Sequence, residues 1–412
     1  MFFFYAILIT NTAFMISVEQ AKKLLLRNVN TLHSSDVNII DSLGSILQQD
    51  IVSPLNLPPF DQSSMDGYAI RYADHFQKGK IKIEGEIPAG KSFKKKLKAG
   101  QAVRIFTGAP VPIGADTVVI QEKIRIENGY LIINDPLLKQ GANIRKAGAQ
   151  IKKGAIALQK KTIITPGGIG YIAAMGITTV KVISKPVITI IVTGSELKKP
   201  GKQLNNGQVY ESNSFAIEAA LNSIGLKAKN IFSVKDIEKE VFKTIKTALK
   251  NSDIILITGG ISVGDYDFTE KSLHDLGVET IFYKVKQKPG KPLYFGKNKE
   301  TLIFALPGNP AAVLSCFYEY VYPAIKLMQG FKNIFLPKIQ QPISTNYSKK
   351  KGLSFFLKGK ISNDQVIPLE GQESYVLSSF ATADCLIFLP ENSENIKKGQ
   401  IVEVHKLPGI VN

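Results

Sequence analysis

Polar residues follow a buried strand of the predicted central sheet at the point where that strand ends. The apolar run 254–258 stops at Gly259 and Gly260, and Ser262 and Asp267 come next, before a helical pattern begins. The glycine pair lets the backbone turn tightly and offer N–H groups to an anion. Because open α/β sheets bind ligands at the carboxyl ends of their strands, the sequence predicts a ligand site here.

A second apolar run, 301–306, ends in a similar way. It is followed by the turn residues Pro307 to Pro310. Asn309 is a favourable N-cap and Pro310 suits the first position of a helix. We therefore expect the helix from Ala311 to present free N–H groups to the same crevice. Two such strand ends in one unit predict a phosphate-bearing ligand.

Charged residues follow other strands of this region. Glu196 lies just past a strand that ends at Thr193, which predicts Glu196 and Asp267 at one edge of the sheet. Two carboxylates at one crevice can hold Mg²⁺, which prefers hard oxygen ligands. Lys288 and Lys291 follow another strand, and their ammonium groups suit a dianionic substrate. The alternative for Asp267 is structural, as the cap of the helix that follows it.

The net charge of +18 invites a nucleic-acid function. The excess consists mostly of lysines scattered along the chain, without zinc-finger spacing or interleaved aromatic and basic residues. We therefore expect solvated lysine faces and a general attraction for anionic small ligands, with no nucleic-acid partner.

Cysteine and histidine usage argues against a metal cluster or a disulfide framework. Cys316 lies in an apolar helical pattern and Cys385 in a strand-like run, so both are expected to be buried thiols. Free thiols suit a reducing compartment, and we expect a cytoplasmic protein. The histidines share no metal-binding or triad spacing; they are His33, His75, His274 and His405.

The amino-terminal residues are almost wholly apolar up to Ile16. They lack a basic segment and a cleavage site, and they are shorter than a membrane span of about 20 residues. Met15 precedes Ser17 and a pattern typical of a helix start. Our hypothesis is that Met15 is the natural start and that no membrane is involved; the alternative is a signal anchor.

The pattern of elements predicts a multidomain α/β plus β protein. Strands and helices alternate in the central part, which favours a parallel sheet with helices on both faces. Short strands precede and follow this part. A helical pattern extends from Ser17 to Gln49. In the central part, Asp236 is expected to open one of the helices. The expected domains are an N-terminal helical and linker domain (15–50 and 151–185), an inserted small β domain (51–150), a central α/β domain (186–330) and a C-terminal β-barrel-like domain (337–412).

Several turn-rich loops together resemble the motifs of the molybdopterin molybdenumtransferase family, which includes MoeA-type bacterial enzymes and the E domain of gephyrin. The matching runs occur in the family's order, from about residue 15 to the end of the chain. The 259–267 run and the Pro307 to Pro310 turn are the most specific. The others are Met65-Asp-Gly-Tyr-Ala69, Thr107-Gly-Ala-Pro110, Asn143-Ile-Arg145, Thr193-Gly-Ser-Glu196 and Lys288-Pro-Gly-Lys291.

The resemblance implies an L-shaped subunit of four domains that works as a homodimer, with 186–330 as the molybdopterin-binding domain. Such enzymes insert molybdate into adenylylated molybdopterin and release AMP in a Mg²⁺-dependent step. A further candidate partner is the molybdopterin adenylyltransferase. The implied catalytic residues are Asp267, Glu196, Asp66 and Asp236, with Glu196 and Asp267 as metal ligands. The implied substrate-binding residues are Thr107, Arg145, Gly259, Gly260, Ser262, Lys284, Lys288, Lys291, Pro307, Asn309, Pro310 and Ser374.

Four departures from the family pattern bear on whether the chain is fully active. Gln150 stands where the family has an acidic residue, Ser195 replaces a common Asp, and Ala312 replaces a common Ser. The Arg-rich entry to the last domain has become the run 352–358, which weakens a second molybdate-holding patch. One alternative function, which Gln150 and Ala312 motivate, is a catalytically impaired dimeric scaffold. The other is molybdopterin adenylyl transfer, because that enzyme shares the α/β domain. It is disfavoured because such proteins usually lack the two flanking β domains.

Overall fold

The computed structural model describes residues 15–76, 80–260 and 268–409. The described residues form two compact units, one made of 35–182 and the other of 15–34 together with 183–409. The predicted site residues Ser262 and Asp267 lie outside the described residues, as does the amino-terminal segment before Met15.

The first helix begins where the sequence predicts and ends earlier. Helix α1 (Val18–Asn28) starts with a capping box, in which Ser17 and Gln20 each accept a hydrogen bond from the other's backbone N–H. The helical pattern predicted up to Gln49 is wrong beyond Asn28. Strand β1 (Ser34–Asn38) and a 3₁₀ turn (Ile39–Ser42) follow. The segment forms a strand rather than a helix because β1 pairs with a distant strand, which begins at Thr179.

The unit 35–182 is built mainly of short strands. The strands are β2 (Ile51–Val52), β3 (Gln62–Ser63), β4 (Gly67–Ile70), β5 (Ile81–Ile87), β6 (Gln101–Ile105), β7 (Thr117–Ile120), β8 (Ile124–Glu127), β9 (Tyr130–Ile133), β10 (Ile144–Arg145), β11 (Ile156–Leu158) and β12 (Thr179–Ile183). The main sheet has the order β7-β4-β6-β5-β9-β8, with a core that includes Tyr68, Ile70 and Val119. Helix α2 (Pro166–Ala174) is capped by the Thr165 hydroxyl.

The central sheet of the other unit confirms the predicted α/β class. Four parallel strands stand in the order β16 (Ala228–Val234), β13 (Ile188–Thr193), β17 (Ile254–Thr258) and β21 (Thr301–Leu306). Two antiparallel strands, β20 (Tyr294–Asn298) and β18 (Glu279–Tyr283), complete one edge, so the sheet is mixed rather than wholly parallel. Ile190 and Ile191 pack into different apolar cores, because both faces of the sheet are covered.

Helices and short strands connect the sheet. The helices are α3 (Asn213–Asn222), α4 (Glu238–Leu249), α5 (Phe268–Asp275), α6 (Pro310–Cys316) and α7 (Tyr322–Met328), with a π-helical turn (Phe317–Val321) between the last two. The short strands are β14 (Leu197–Lys198), β15 (Val209–Tyr210) and β19 (Gln287–Lys288). Cys316 and Cys385 are buried free thiols, as predicted.

The carboxyl-terminal strands form a barrel-like sheet, as predicted. The strands are β22 (Lys338–Pro342), β23 (Tyr347–Ser348), β24 (Ser354–Ser362), β25 (Gln365–Pro368), β26 (Cys385–Leu389), β27 (Asn395–Ile396) and β28 (Ile401–Lys406). The hydrogen-bonded order is β19-β24-β26-β28-β22, and β25 pairs with β24. A bridge between Ile343, just after β22, and Val366 on β25 closes the barrel-like sheet. In the described parts of the chain, every helix is too short or too polar to cross a bilayer.

Candidate functional site

The ends of three neighbouring parallel strands meet at one edge of the central sheet. Gly259 follows β17 with a φ of 82°, and a Cβ there would collide with the backbone carbonyl oxygen of Thr193 at the end of β13. A Cβ on Gly308, past β21, would lie 4.0 Å from the Cα of Gly259. Only glycine permits this approach, so the glycine turn packs directly against the ends of β13 and β21, at the edge where the sequence predicts a ligand crevice.

Hydroxyl groups surround the second glycine of this turn. A Cβ on Gly260 would lie 2.7 Å from Oγ1 of Thr193 and 2.8 Å from Oγ1 of Thr269. The Thr193 hydroxyl is buried and has no hydrogen-bond partner within the described residues. Buried hydroxyls are normally paired, and this one lies beside the glycine turn at which the sequence predicts an anionic ligand.

The loop after β13 carries Glu196, and hydrogen bonds connect it to Asp236, which follows the neighbouring strand β16. The Ser195 N–H donates to Oδ2 of Asp236, and the Asp236 N–H donates to Oγ of Ser195. Glu196 itself is exposed. The prediction that Asp236 opens a helix is wrong. Ile237 is the N-cap of α4, without a side-chain cap, and the Asp236 carboxylate bonds the loop instead.

The helix after β21 does not present free N–H groups as predicted. The backbone carbonyl of Ser374 accepts hydrogen bonds from the N–H groups of Ala311 and Ala312, at 3.1 and 3.3 Å. Asn309 occupies the N-cap position without capping, and its Nδ2 donates to Oγ of Ser374 at 2.8 Å. Two predicted site residues, Asn309 and Ser374, are thereby brought together. The neighbouring Pro307 is buried and Pro310 is half-buried.

The lysine loop is shaped by a residue that the sequence analysis missed. Gln287 is buried, its Nε2 donates to the Gly290 carbonyl at 3.0 Å, and its Oε1 accepts from the Tyr320 hydroxyl. The available signal was alternation, because Gln287 continues the series of buried positions Tyr283 and Val285. Lys288 and Lys291 at either side of Gly290 are exposed.

The ammonium groups of two of the three predicted lysines lie near aromatic rings. Nζ of Lys288 lies 5.4 Å from the centre of the Phe355 ring, and Nζ of Lys284 lies 5.0 Å from that of Tyr283. At such distances the ring face attracts the cation without using its hydrogen-bond donors. Both ammonium groups therefore keep donors for an anionic ligand.

The unit 35–182 holds its own group of predicted residues. Oδ1 of Asp66 accepts from the N–H of Thr107 at 2.8 Å and from its hydroxyl at 2.7 Å. These two bonds, with the nearby Arg104, hold the pKa of Asp66 below its usual value. Asp66 is therefore a fixed, ionised carboxylate beside an exposed hydroxyl-bearing loop.

Arg145 lies on the short strand β10, whose backbone pairs with β3 at Gln62. Its side chain is exposed. The next loop is tied down by Asp61, which accepts from Nζ of Lys146 and from the N–H of Ala147. Gln150, one of the departures from the family pattern, is also exposed. Within the described residues there is no group of three side chains that could hold a metal ion together.

Three family models match the chain in order. The MoeA N-terminal region (domain I and II) matches residues 16–176, the probable molybdopterin-binding domain matches 189–327, and the MoeA C-terminal region (domain IV) matches 341–407. Two solved structures of the molybdopterin biosynthesis MoeA protein from Pyrococcus horikoshii are similar to this chain. They have TM-scores of 0.77 and 0.72, identities of 30% and 29%, and cover 96% and 95% of this chain and 100% of their own.

Curated relatives agree with the family models. The molybdopterin molybdenumtransferase of Haemophilus influenzae is 33% identical over 397 residues, which is 95% of this chain and 98% of the relative. The enzyme of the same name from Staphylococcus epidermidis is 33% identical over 401 residues, covering 94% of this chain and 95% of its own. With all three regions matched in order, this chain belongs to the molybdopterin molybdenumtransferase (MoeA) family.

Proposed function

We propose that this chain inserts molybdenum into molybdopterin. The observation that carries the proposal is the close approach of the ends of β13, β17 and β21 at Gly259 and Gly308, within a chain that matches molybdopterin molybdenumtransferases over nearly its whole length. The substrate is adenylylated molybdopterin together with molybdate, and the products are the molybdenum cofactor and AMP. The dithiolene sulfurs that receive the metal belong to the substrate, so the buried thiols of the chain take no part.

The residues of the crevice suit the anionic parts of this substrate. Gly259 and Gly260 allow a phosphate to approach the backbone closely. The exposed ammonium groups of Lys288 and Lys291 suit phosphate or molybdate oxygens. Each ammonium group is a compact positive charge with three N–H donors. The Thr193 hydroxyl, which has no hydrogen-bond partner within the described residues, adds a neutral hydrogen-bonding group.

Mg²⁺ fits the donor chemistry at this edge of the sheet. Glu196 offers an exposed carboxylate just past β13, and Mg²⁺ is commonly held by one or two protein carboxylates and several waters. We propose that Glu196 and Asp267 hold it. When bound, the ion would supply charge neutralisation at the phosphate from which AMP departs.

The function is tested by incubating the purified protein with adenylylated molybdopterin, Mg²⁺ and molybdate and measuring AMP. We expect AMP only when molybdate is present. A protein that instead converts ATP and molybdopterin into the adenylylated form is an adenylyltransferase. A correctly folded protein that binds the adenylylated substrate and releases no AMP is a scaffold.

We further propose that the enzyme is a homodimer whose sites combine residues of both subunits. The support is that the predicted site residues fall into two compact units, with Asp66, Thr107 and Arg145 in one and the strand-end residues in the other. Mixing inactive Asp66→Ala protein with inactive Glu196→Ala protein should then restore activity, because one mixed site carries neither substitution. Mass measurement by light scattering should show a dimer. A monomer, or a mixture without restored activity, would contradict the proposal.

The remaining proposals concern location and partners. A cytoplasmic location is supported by the buried free thiols Cys316 and Cys385. The molybdopterin adenylyltransferase is proposed as the partner that supplies the adenylylated substrate. The basic surface is proposed to serve anionic small ligands and solubility, and sequence-dependent nucleic-acid binding that survives about 200 mM salt would contradict this.

A further inference from the structure

A buried glutamine lies directly before the lysine loop 288–291. Gln287 on β19 is 1% exposed, and Tyr320 in the π-helical turn is fully buried. The Gln287 side chain donates from Nε2 to the Gly290 carbonyl at 3.0 Å and accepts the Tyr320 hydroxyl at Oε1. A buried amide costs free energy unless its hydrogen bonds are made. Here both ends of the amide have a partner, so the group is held in one orientation.

The turn at Gly290 packs against the side chains behind it. Gly290 has a φ of 85°, and a Cβ there would collide with Sγ of Cys316 and would lie 3.0 Å from Nε2 of Gln287. The Gly290 carbonyl also lies 3.8 Å from the Cys316 thiol, which is a weak donor. The Gln287 amide is therefore the stronger of these two donors to the carbonyl.

Backbone hydrogen bonds fix the two ends of the loop. The N–H of Val285 donates to the Lys291 carbonyl at 2.9 Å. At the other end, β19 pairs with β24 through Gln287 and Lys288. Gly290 lies between these two points, and the Gln287 side chain reaches forward to bond it. The backbone that carries both lysines is thus held before, within and after the turn.

We propose that Gln287 is a positioning residue, which fixes the turn at Gly290 so that the ammonium groups of Lys288 and Lys291 meet an anion at a constant separation. Gln287 does not contact the anion, because its amide is buried and bonded within the protein. This assignment rests on the proposed function, in which the anion is phosphate or molybdate. A loop that is already ordered loses less freedom on binding, so the bond to Gly290 should raise the affinity for the anion.

Tyr320 makes the positioning role separable from stability. Removing one member of a buried hydrogen-bonded pair leaves the other unsatisfied and destabilises the fold, whereas replacing both by apolar groups of similar shape can be nearly neutral. Gln287→Met together with Tyr320→Phe is such a replacement. The double variant lacks the bond to Gly290, although neither new side chain needs a hydrogen bond.

The test compares the two single variants with the double variant by melting temperature and by calorimetric titration with molybdate. Each single variant should melt at a lower temperature, and the double variant should regain most of the loss. Molybdate should bind about tenfold more weakly to Gln287→Met and to the double variant, since both lack the donor to Gly290. Tyr320→Phe keeps that donor and should weaken binding less. Affinity that returns with stability in the double variant would make Gln287 merely structural and overturn the proposal.

The control is Asn298, whose amide also donates to a turn. Its Nδ2 bonds the carbonyls of Leu276 and Gly277 at 3.1 and 3.0 Å. Asn298 pairs with Thr301 at the amino end of β21, away from the lysine loop. Asn298→Leu should lower the melting temperature and leave the affinity for molybdate unchanged. A loss of affinity as large as that of Gln287→Met would show a general effect of destabilisation and contradict the proposal.

Hydrogen exchange gives a readout that does not require molybdate to bind. The Val285 amide should exchange about tenfold faster in Gln287→Met and in the double variant, because the turn that carries its acceptor is loosened. Amides of 188–193 should keep their exchange rates. Unchanged exchange at Val285 in the folded variants would overturn the proposal. A wild-type protein that binds no molybdate, with these changes in exchange still present in the variants, would refute the proposed function alone.

Tyr320→Phe keeps the proposal testable if Gln287→Met does not fold. It removes one hydroxyl and keeps the ring, so the fold should tolerate it. The Gln287 amide then loses the partner that orients it, and both the affinity for molybdate and the protection of the Val285 amide should fall. If neither quantity changed in this variant, the proposal would be wrong.

Discussion

Ser195 and Asp236 hold each other through two hydrogen bonds, each from a backbone N–H to the other's side chain, at 3.1 and 3.2 Å. The pair joins the loops that follow β13 and β16, which are neighbouring parallel strands. Glu196 comes directly after Ser195 in the sequence. Ser195 stands where the family has a common Asp. A hydroxyl can accept the Asp236 N–H without placing a second negative charge beside the Asp236 carboxylate.

Ser195→Ala should lower the free energy of unfolding by about 1 kcal/mol, the usual value for one hydrogen bond. It should lower kcat/KM for AMP release several-fold, because the loop that carries Glu196 loses one of its two ties. Urea unfolding and initial-rate kinetics measure the two effects. The matched control is Ser223→Ala, which removes a hydroxyl bonded to the Ala220 carbonyl at the end of α3. Equal kinetic effects in both variants would show that the tie has no role in the site.

Glu196 and Asp267 should govern the Mg²⁺ dependence of AMP release. Glu196→Gln removes the charge of an exposed side chain, so stability should change by less than about 0.5 kcal/mol while AMP release falls by about 10²-fold or more. Asp267→Asn should behave in the same way. If Asp267 is only a helix cap, its loss should cost about 1 kcal/mol and leave AMP release near normal. Glu240→Gln, an exposed carboxylate on α4, is the control and should change neither quantity.

The parallel strands of the α/β domain could be predicted from the sequence because their signal is local. Runs such as 188–193 and 254–258 are apolar on both faces, which is typical of strands covered by helices on either side. Their positions also indicated that the loops after β13 and β17 would lie at one edge of the sheet, since the carboxyl ends of parallel strands share that edge.

Contacts between distant residues could not be predicted in this way. Asn309 has the chemistry of an N-cap, yet the Ser374 carbonyl accepts from the N–H groups at the start of α6. The sequence near position 309 does not indicate that the loop carrying Ser374 lies there. The sequence around Lys358 is typical of a strand and does not indicate that its ammonium group donates hydrogen bonds to three backbone carbonyls. The segment after Asn28 has helical spacing, but pairing of β1 with β12 prevails over local preference.

Lys288 and Lys291 should contribute to binding far more than to stability. Lys288→Ala and Lys291→Ala should each weaken molybdate or substrate binding about tenfold, since each removes a charged donor from the proposed binding site. Melting temperature should change little, because both side chains are exposed. Lys246→Ala is the control, since its ammonium group also lies beside an aromatic ring, 5.9 Å from that of Phe242, on α4. A sharp fall in melting temperature with unchanged binding would make the lysines structural.

A buried charge network should give the protein a stability maximum in mildly acidic solution. Glu319 accepts from Nζ of Lys22 and pairs with Nδ1 of His405 at 2.6 Å. Burial alone would raise the pKa of Glu319, but Lys22 and His405 outweigh it and lower the pKa to about 2. Burial acts to lower the pKa of His405, and Glu319 and Glu403 outweigh it and raise the pKa.

The directions of these shifts decide the pH profile. The stabilisation from Glu319 is present above the unfolded pKa of about 4.3 and is lost as the pH falls towards 2. The stabilisation from His405 is complete below about pH 6.5 and is lost as the pH rises through its raised pKa. Urea unfolding should therefore give the largest free energy between about pH 5 and 6.5.

Glu319→Gln should lower the free energy of unfolding by about 3 kcal/mol, because Lys22 and His405 lose a buried partner. It should also flatten the pH profile on both sides. Glu19→Gln on α1 is the control, since Glu19 pairs with Lys23 at the surface and should contribute little. A variant that keeps the wild-type profile would show that the network does not set the pH dependence.

The ratio of AMP released to molybdenum inserted tests the central claim most directly. In a single turnover with adenylylated molybdopterin, Mg²⁺ and molybdate, we predict one AMP for each molybdenum atom that becomes bound to the pterin. Both should appear at the same rate in the wild-type protein, and both should be lost together in Glu196→Gln. AMP released without inserted molybdenum, or molybdenum inserted without AMP, would contradict the account.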